Sequence, residues 1–377
     1  MAERFTRDGS DALEARLTAL CGEVADGLRS LVPPPLIEAL VLGGGYGRGE
    51  GGVLRTPGGD APYNDFEFFV FLRGPAWPNE RRYAHRLHEL GEALSPKAGM
   101  DVEFKIVSRT AFRAAAVNMF YYDLVMGHRC VIGDESIFRD CDHHRNATGI
   151  PTGEAVRLLF NRCSGLLFSK ERLQRREFTA ADADFVCRNL AKAKLAFGDA
   201  WLASQGHYHW SCRERHERLA TLASSAPLAE SLLAAHAEGV EFKLHPRVST
   251  ETHDELVRQW ESVTRTAWTV WQDLARRQGG EEFATPAEYA ASHAVLCPGS
   301  PGWRNRLVHA KHFGFKAALE RMSGRYPRER LFRSLAVLLW GQPEAGGTAL
   351  VQGLLRTEAA DFPGLIAAYR DWWNRFN

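Results

Sequence analysis

The sequence predicts an α/β (α+β) domain with a small mixed sheet over residues 1–145, followed by an all-helical domain over residues 150–377. Two observations carry this reading. In the first ~135 residues, short runs rich in Phe and Val alternate with stretches of helical periodicity, the texture of a packed sheet with helices on its faces. Beyond Pro151 the strand-like runs largely disappear and long helical periodicities follow one another. The join falls in Asp140–Pro151, where polar residues, Gly149 and Pro151 cluster.

Along the chain, residues 10–32 form an expected amphipathic helix. Ser10 or Asp11 can cap it, and Leu13, Leu17, Leu20, Val24, Leu28 and Leu31 recur on one face. Pro33-Pro34-Pro35 ends it. Leu40-Val41-Leu42 is a short strand that runs into Gly43-Gly44-Gly45-Tyr46-Gly47-Arg48-Gly49-Glu50, which should turn and open a helix; residues 51–62, rich in Gly and Pro, are expected to be a loop. Strands follow at Asp65–Leu72 and Asp101–Val107, with helices expected over Asn79–Leu94 and Ala111–Leu124 and a closing strand near residues 129–134. In the second domain, helices are expected over residues 154–173, 180–204, 213–235, 252–277, 286–295, 303–321 and 329–340.

Composition narrows the function classes. The chain has 377 residues, 45% hydrophobic and 25% charged, which is ordinary for a globular protein of two domains. Its 47 basic and 46 acidic residues leave a net charge of +1, so a long nucleic acid is not the favoured partner. No apolar run approaches the length of a membrane span, and the first residues lack the apolar core of a signal peptide; both point to a cytoplasmic protein without a membrane partner. The seven cysteines form no Cys-x-x-Cys pair, which favours reduced structural thiols over a disulfide framework or a zinc site.

The chemistry concentrates in one turn and two acidic strands. Asp65 and Glu67 stand two apart on a strand and so point to one side, and Asp101 and Glu103 repeat the arrangement. Ionised carboxylates are costly to bury side by side without a counter-charge, and a divalent cation supplies one. Upstream, Gly44 and Gly45 permit close backbone approach to phosphate oxygens. An NTP unites these features, its phosphates on the Gly turn and its metals on the carboxylates.

Those residues carry a resemblance. The run Leu42-Gly43-Gly44-Gly45-Tyr46-Gly47-Arg48-Gly49-Glu50, followed by Asn64-Asp65-Phe66-Glu67-Phe68-Phe69-Val70, resembles the polymerase-β-type nucleotidyltransferase superfamily, on the branch that includes aminoglycoside and antitoxin-type nucleotidyltransferases. The likeness covers residues 36–135 or so. It implies transfer of an NMP from an NTP to a hydroxyl with release of pyrophosphate, using two Mg²⁺ ions, with Mn²⁺ as a substitute. It also implies that Asp65 and Glu67 bind both metals, and that Glu103 binds the second and helps deprotonate the acceptor hydroxyl. Asp101 is the alternative in that third role. Gly44 and Gly45 would hold the triphosphate, Arg48 would support the turn or reach a phosphate, and Lys192 of the helical domain would contact the nucleotide. Two departures stand out: Gly45 replaces the usual serine of the turn, and residues 51–62 form an unusually long connection to Asp65. A nucleotide-binding module without catalysis, regulatory or antitoxin-like, is the rival reading.

Lesser candidates have plainer explanations. Asp140, Asp142, His143 and His144 are expected in a solvated loop, and His207, His209, Cys212 and His216 at a helix start. Arg304 and His309 match the Arg-x4-His spacing of certain helical ribonuclease domains, and Trp201, Tyr208 and Trp210 are expected in a core or interface.

Overall fold

The computed structural model describes residues 4–222, 229–297, 300–341 and 346–377. The chain divides into two compact units. The first is Met1–Pro151 with Gln205–Ala220 and Val240–Val248; the second is Thr152–Ser204, Thr221–Gly239 and Ser249–Asn377. Two stretches that the sequence pattern groups with the helical region, 205–220 and 240–248, thus pack with the α/β unit.

The first unit is built on a mixed four-stranded sheet. Its strands are β1 (Ile37–Leu42), β4 (Phe66–Leu72), β5 (Val102–Val107) and β6 (Arg129–Ile132), in the order β5-β4-β1-β6. β4 and β5 are parallel, and β1 runs antiparallel to both β4 and β6. The alternating side chains divide into two cores, as a pleated strand requires. Leu40, Leu42, Phe66, Phe68, Val70 and Val102 face one side. They are covered by helix α1 (Asp11–Leu31), which Ser10 caps, and by α3 (Ala76–Ala98). Ala39, Val41, Phe69 and Phe71 face the other side. There they meet Phe112 of α4 (Arg109–Ala114), Leu124 of α5 (Met119–Met126) and Phe138 of a 3₁₀ turn at Glu135–Phe138. The single helix expected over 111–124 is therefore two, interrupted at residues 115–118 before the Asn118 cap of α5.

Residues 51–62 are not an irregular loop. They hold a two-stranded hairpin of β2 (Val53–Thr56) and β3 (Gly59–Pro62), closed across Gly59 at φ +109°. The helix expected after the Gly turn is a single turn, α2 (Gly44–Gly47), because Gly49 at φ +76° turns the chain out of the helical path.

The second unit is helical. Its longest members are α6 (Thr152–Leu173), α7 (Ala180–Ser204) and α10 (His253–Gly279), the last opened by a Thr252/Glu255 capping box. In sequence between α7 and α10 come α8 (Cys212–Leu222), which belongs to the α/β unit up to Ala220, and α9 (Ala229–Leu244), which belongs to it from Val240; the expected helix over 213–235 includes residues outside the described set. The expected 303–321 helix stops at Phe313, before Gly314 at φ +84°. Two helices near the end, Thr348–Leu355 and Phe362–Phe376, had no clear counterpart in the pattern. Among the described residues, no helix is long and apolar enough to cross a membrane.

Candidate active site

The Gly turn is held by backbone contacts that admit no side chain. Gly43 donates its N–H to the Glu67 carbonyl at 2.9 Å, joining the turn to β4. Gly44 has φ +64°, and a Cβ there would stand 2.8 Å from Glu67 Oε2. A Cβ on Gly47 would lie 2.3 Å from the Leu42 carbonyl oxygen. Glycine is therefore required at 44 by conformation and at 47 by space. Because α2 is only one turn long, it contributes no extended macrodipole, and the anion cradle reduces to the amides that a first turn leaves without helical partners.

The acidic strands bring two of the expected carboxylates together. In the parallel register Glu67 stands opposite Glu103, with Phe66 opposite Val102, so both glutamates lie on the same face of the sheet. Asp65 is exposed immediately before β4. Asp101 is exposed immediately before β5, and its carbonyl accepts the Phe66 N–H at 2.8 Å. Of the two alternatives for the third acid, Glu103 is the one in register with Glu67. The four carboxylates do not converge fully: among the described residues, no three of them bring their oxygens within 4.8 Å of one another.

A lysine that the sequence reading passed over lies among them. Lys105 Nζ is 2.8 Å from Glu67 Oε1 and 3.7 Å from Glu103 Oε2. Partial burial works against its charge, but the hydrogen bond to Glu67 and the fields of Glu67, Glu103 and Asp65 outweigh that and hold its pKa above the ordinary lysine range. The signal was present in the sequence: Glu103-x-Lys105 on a strand puts both side chains on one face. Oxygen donors of this type suit a hard cation, and the ammonium of Lys105 already occupies the place of a counter-charge.

The second half of the glycine-rich run anchors the turn. Arg48 donates to Asp123 Oδ2 at 3.1 Å and to the Trp210 carbonyl at 3.2 Å. Burial opposes its charge, yet the Asp123 carboxylate more than restores it. Glu50 is buried and accepts from Ser211 Oγ at 2.5 Å and from the Cys212 amide at 3.0 Å, at the start of α8. Burial raises the Glu50 pKa, but these donors, with Lys243 and Arg48 nearby, turn the net shift downward. Tyr46 donates to the Gly52 carbonyl and accepts from the Tyr63 amide, both at 2.9 Å, fixing the chain that leads through the hairpin to Asp65. Lys192 is an exposed residue of α7 in the helical unit. The lysine that joins Arg48 and Glu50 inside the α/β unit is Lys243, whose pKa is lowered first by burial and then by the Arg48 charge.

The lesser candidates have structural partners. Asp140 pairs with Arg113, while His143 and His144 each meet a backbone carbonyl at 3.0 Å, those of Ala115 and Phe112. His209 accepts from the Ser211 amide, and Tyr208 donates to Asp123. His309 is buried beside the Arg325 carbonyl, while Arg304 is exposed over Trp303. Compared with known proteins, the chain matches no family model, no curated protein and no solved structure.

Proposed function

We propose that the α/β unit is a metal-dependent nucleotidyltransferase domain that moves an NMP from an NTP to a hydroxyl acceptor. The observation that carries this reading is the pairing of Glu67 with Glu103 across parallel strands, with Glu67 Oε2 set against the backbone at Gly44. A phosphate-approach turn and a pair of metal-type carboxylates thereby share one end of the sheet. Asp65, Glu67 and Glu103 would hold Mg²⁺, which supplies charge neutralisation for the triphosphate. The acceptor oxygen attacks the α-phosphorus, the bond to the bridging oxygen breaks and pyrophosphate leaves. Glu103, half exposed, takes the hydroxyl proton. The amides at Gly44 and Gly45 donate to the phosphate oxygens.

The test is pyrophosphate release from each of the four NTPs with Mg²⁺ and a metabolite extract, with products read by mass. Asp65→Ala should abolish NMP transfer while preserving the fold, because Asp65 is exposed and packs in no core. NMP transfer that survives in that variant refutes the assignment. A second reading, nucleotide binding without catalysis, is favoured by the Lys105 ammonium at the carboxylates and by Gly45 in place of a serine. Saturable NTP binding with no pyrophosphate release would select it.

A further inference from the structure

We propose that His128, Cys130 and Glu135 form a zinc-type metal site beside β6, independent of the carboxylates on β4 and β5. One nitrogen, one sulfur and one carboxylate oxygen from these residues all lie within 4.8 Å of one another. Tetrahedral coordination at about 2.0–2.3 Å per ligand asks only a small adjustment from that spacing. The local sequence brings them together. His128 and Cys130 stand two apart along an extended segment and so share a face, while Arg129 between them lies over the Phe5 ring on the opposite side. Gly133, at φ +81°, then folds the chain back, and Asp134 caps the 3₁₀ turn that begins at Glu135.

The histidine is buried and already turned toward the glutamate: its side chain is 5% exposed, and its Nε2 stands 2.9 Å from Glu135 Oε1. A metal bound through that nitrogen would take the place of the proton between the two groups. The ring is already oriented, packed at 4.5 Å between centroids against Phe138. His128 and Glu135 also line a cavity of about 530 Å³, shared with Arg4, Arg7, Arg48 and Arg145, that leaves room for a water or an anion as fourth ligand. The donor set of imidazole, thiolate and carboxylate suits Zn²⁺ and does not suit Mg²⁺.

The experiment uses the full-length, reduced, metal-free protein titrated with Co²⁺ and then with Zn²⁺. The expected result is a thiolate-to-cobalt charge-transfer absorption in the near ultraviolet that saturates at one equivalent and is abolished by Zn²⁺. Cys130→Ser should remove the band. Glu135→Gln, at an exposed position, should keep the fold and weaken Zn²⁺ binding by about 100-fold or more. Glu67→Gln should leave the band unchanged, which separates this site from the proposed nucleotide site. No charge-transfer band in the wild type, or a band that persists in Cys130→Ser, overturns the proposal.

Discussion

Lys105 offers the sharpest test of the proposed metal-binding face. Its ammonium contacts Glu67 at 2.8 Å and Glu103 at 3.7 Å, so a divalent ion bound by those carboxylates must displace it. The lysine side chain is 46% exposed and Glu103 50%, so solvent screens both pairs. Exposed pairs contribute about 0.2–1 kcal/mol each, and the two contacts together come to about 1 kcal/mol. A displaced ammonium remaining ~8 Å from a divalent ion adds about 1 kcal/mol of repulsion in water, reduced to ~0.4 by one Debye length of screening at physiological salt. The sum, about 1.4 kcal/mol, corresponds to about tenfold in affinity. Lys105→Met should therefore bind Mn²⁺ about tenfold more tightly than the wild type, measured by electron paramagnetic resonance of free Mn²⁺ at fixed ionic strength. The difference should shrink at high salt. Glu67→Gln should move affinity the opposite way. An unchanged or weaker Mn²⁺ affinity in Lys105→Met would refute the reasoning, since the lysine would then not compete for the carboxylates.

Other substitutions probe the scaffold. Glu50→Ala leaves the Ser211 hydroxyl and the Cys212 amide without their acceptor in a buried setting, and should cost about 2–4 kcal/mol in urea denaturation. Because the Glu50 pKa is lowered by folding, its contribution is present above the ordinary glutamate pKa and is lost as pH falls through the depressed value, so acid unfolding of Glu50→Gln should show a shallower pH dependence. Gly44→Ala should cost about 1–2 kcal/mol for its left-handed backbone and also weaken Mn²⁺ binding by pushing the Glu67 carboxylate aside. Gly47→Ala should be worse in thermal melts, because its Cβ meets the Leu42 backbone instead of a movable side chain. Burial lowers the His245 pKa, but hydrogen bonds to Asp8 and Glu241 outweigh it and the net shift is upward. Its stabilisation is thus complete below the ordinary histidine pKa and lost as pH rises through the raised one. The wild type should lose up to about 1 kcal/mol as pH rises past the ordinary histidine pKa, and His245→Gln should lose that slope.

Much of the α/β unit was legible because its signals are local. The Ser10 cap, the leucine repeat of α1 and the three prolines after it mark that helix without reference to anything distant. The alternation in Asp65–Leu72 and Asp101–Val107 sets the acids on one face, shared with Phe69, Phe71 and Val107, and Phe66, Phe68, Val70, Val102, Phe104 and Ile106 on the other. The hairpin at 53–62 was hidden by its turn: Pro57, Gly58 and Gly59 read as loop, and the flanking strands of four residues are too short to show a period. The break between α4 and α5 escaped notice because the intervening Ala and Val residues carry no strong breaker.

The residue types and spacings determined by themselves which carboxylates share a face and where glycine must replace a side chain, since both follow from the period of a strand and the sterics of φ. They could not assign partners across long separations. Only the parallel register of β4 and β5 set Glu67 beside Glu103 and brought Lys105 between them. Only the packing of residues 205–220 and 240–248 onto the α/β unit committed Arg48 to Asp123 and Trp210 and gave Glu50 its donors at the start of α8. The reason is that burial and pairing depend on which segments meet in three dimensions. A carboxylate 75 residues away leaves no trace in local periodicity, yet it decides whether an arginine faces a ligand or an ion-pair partner.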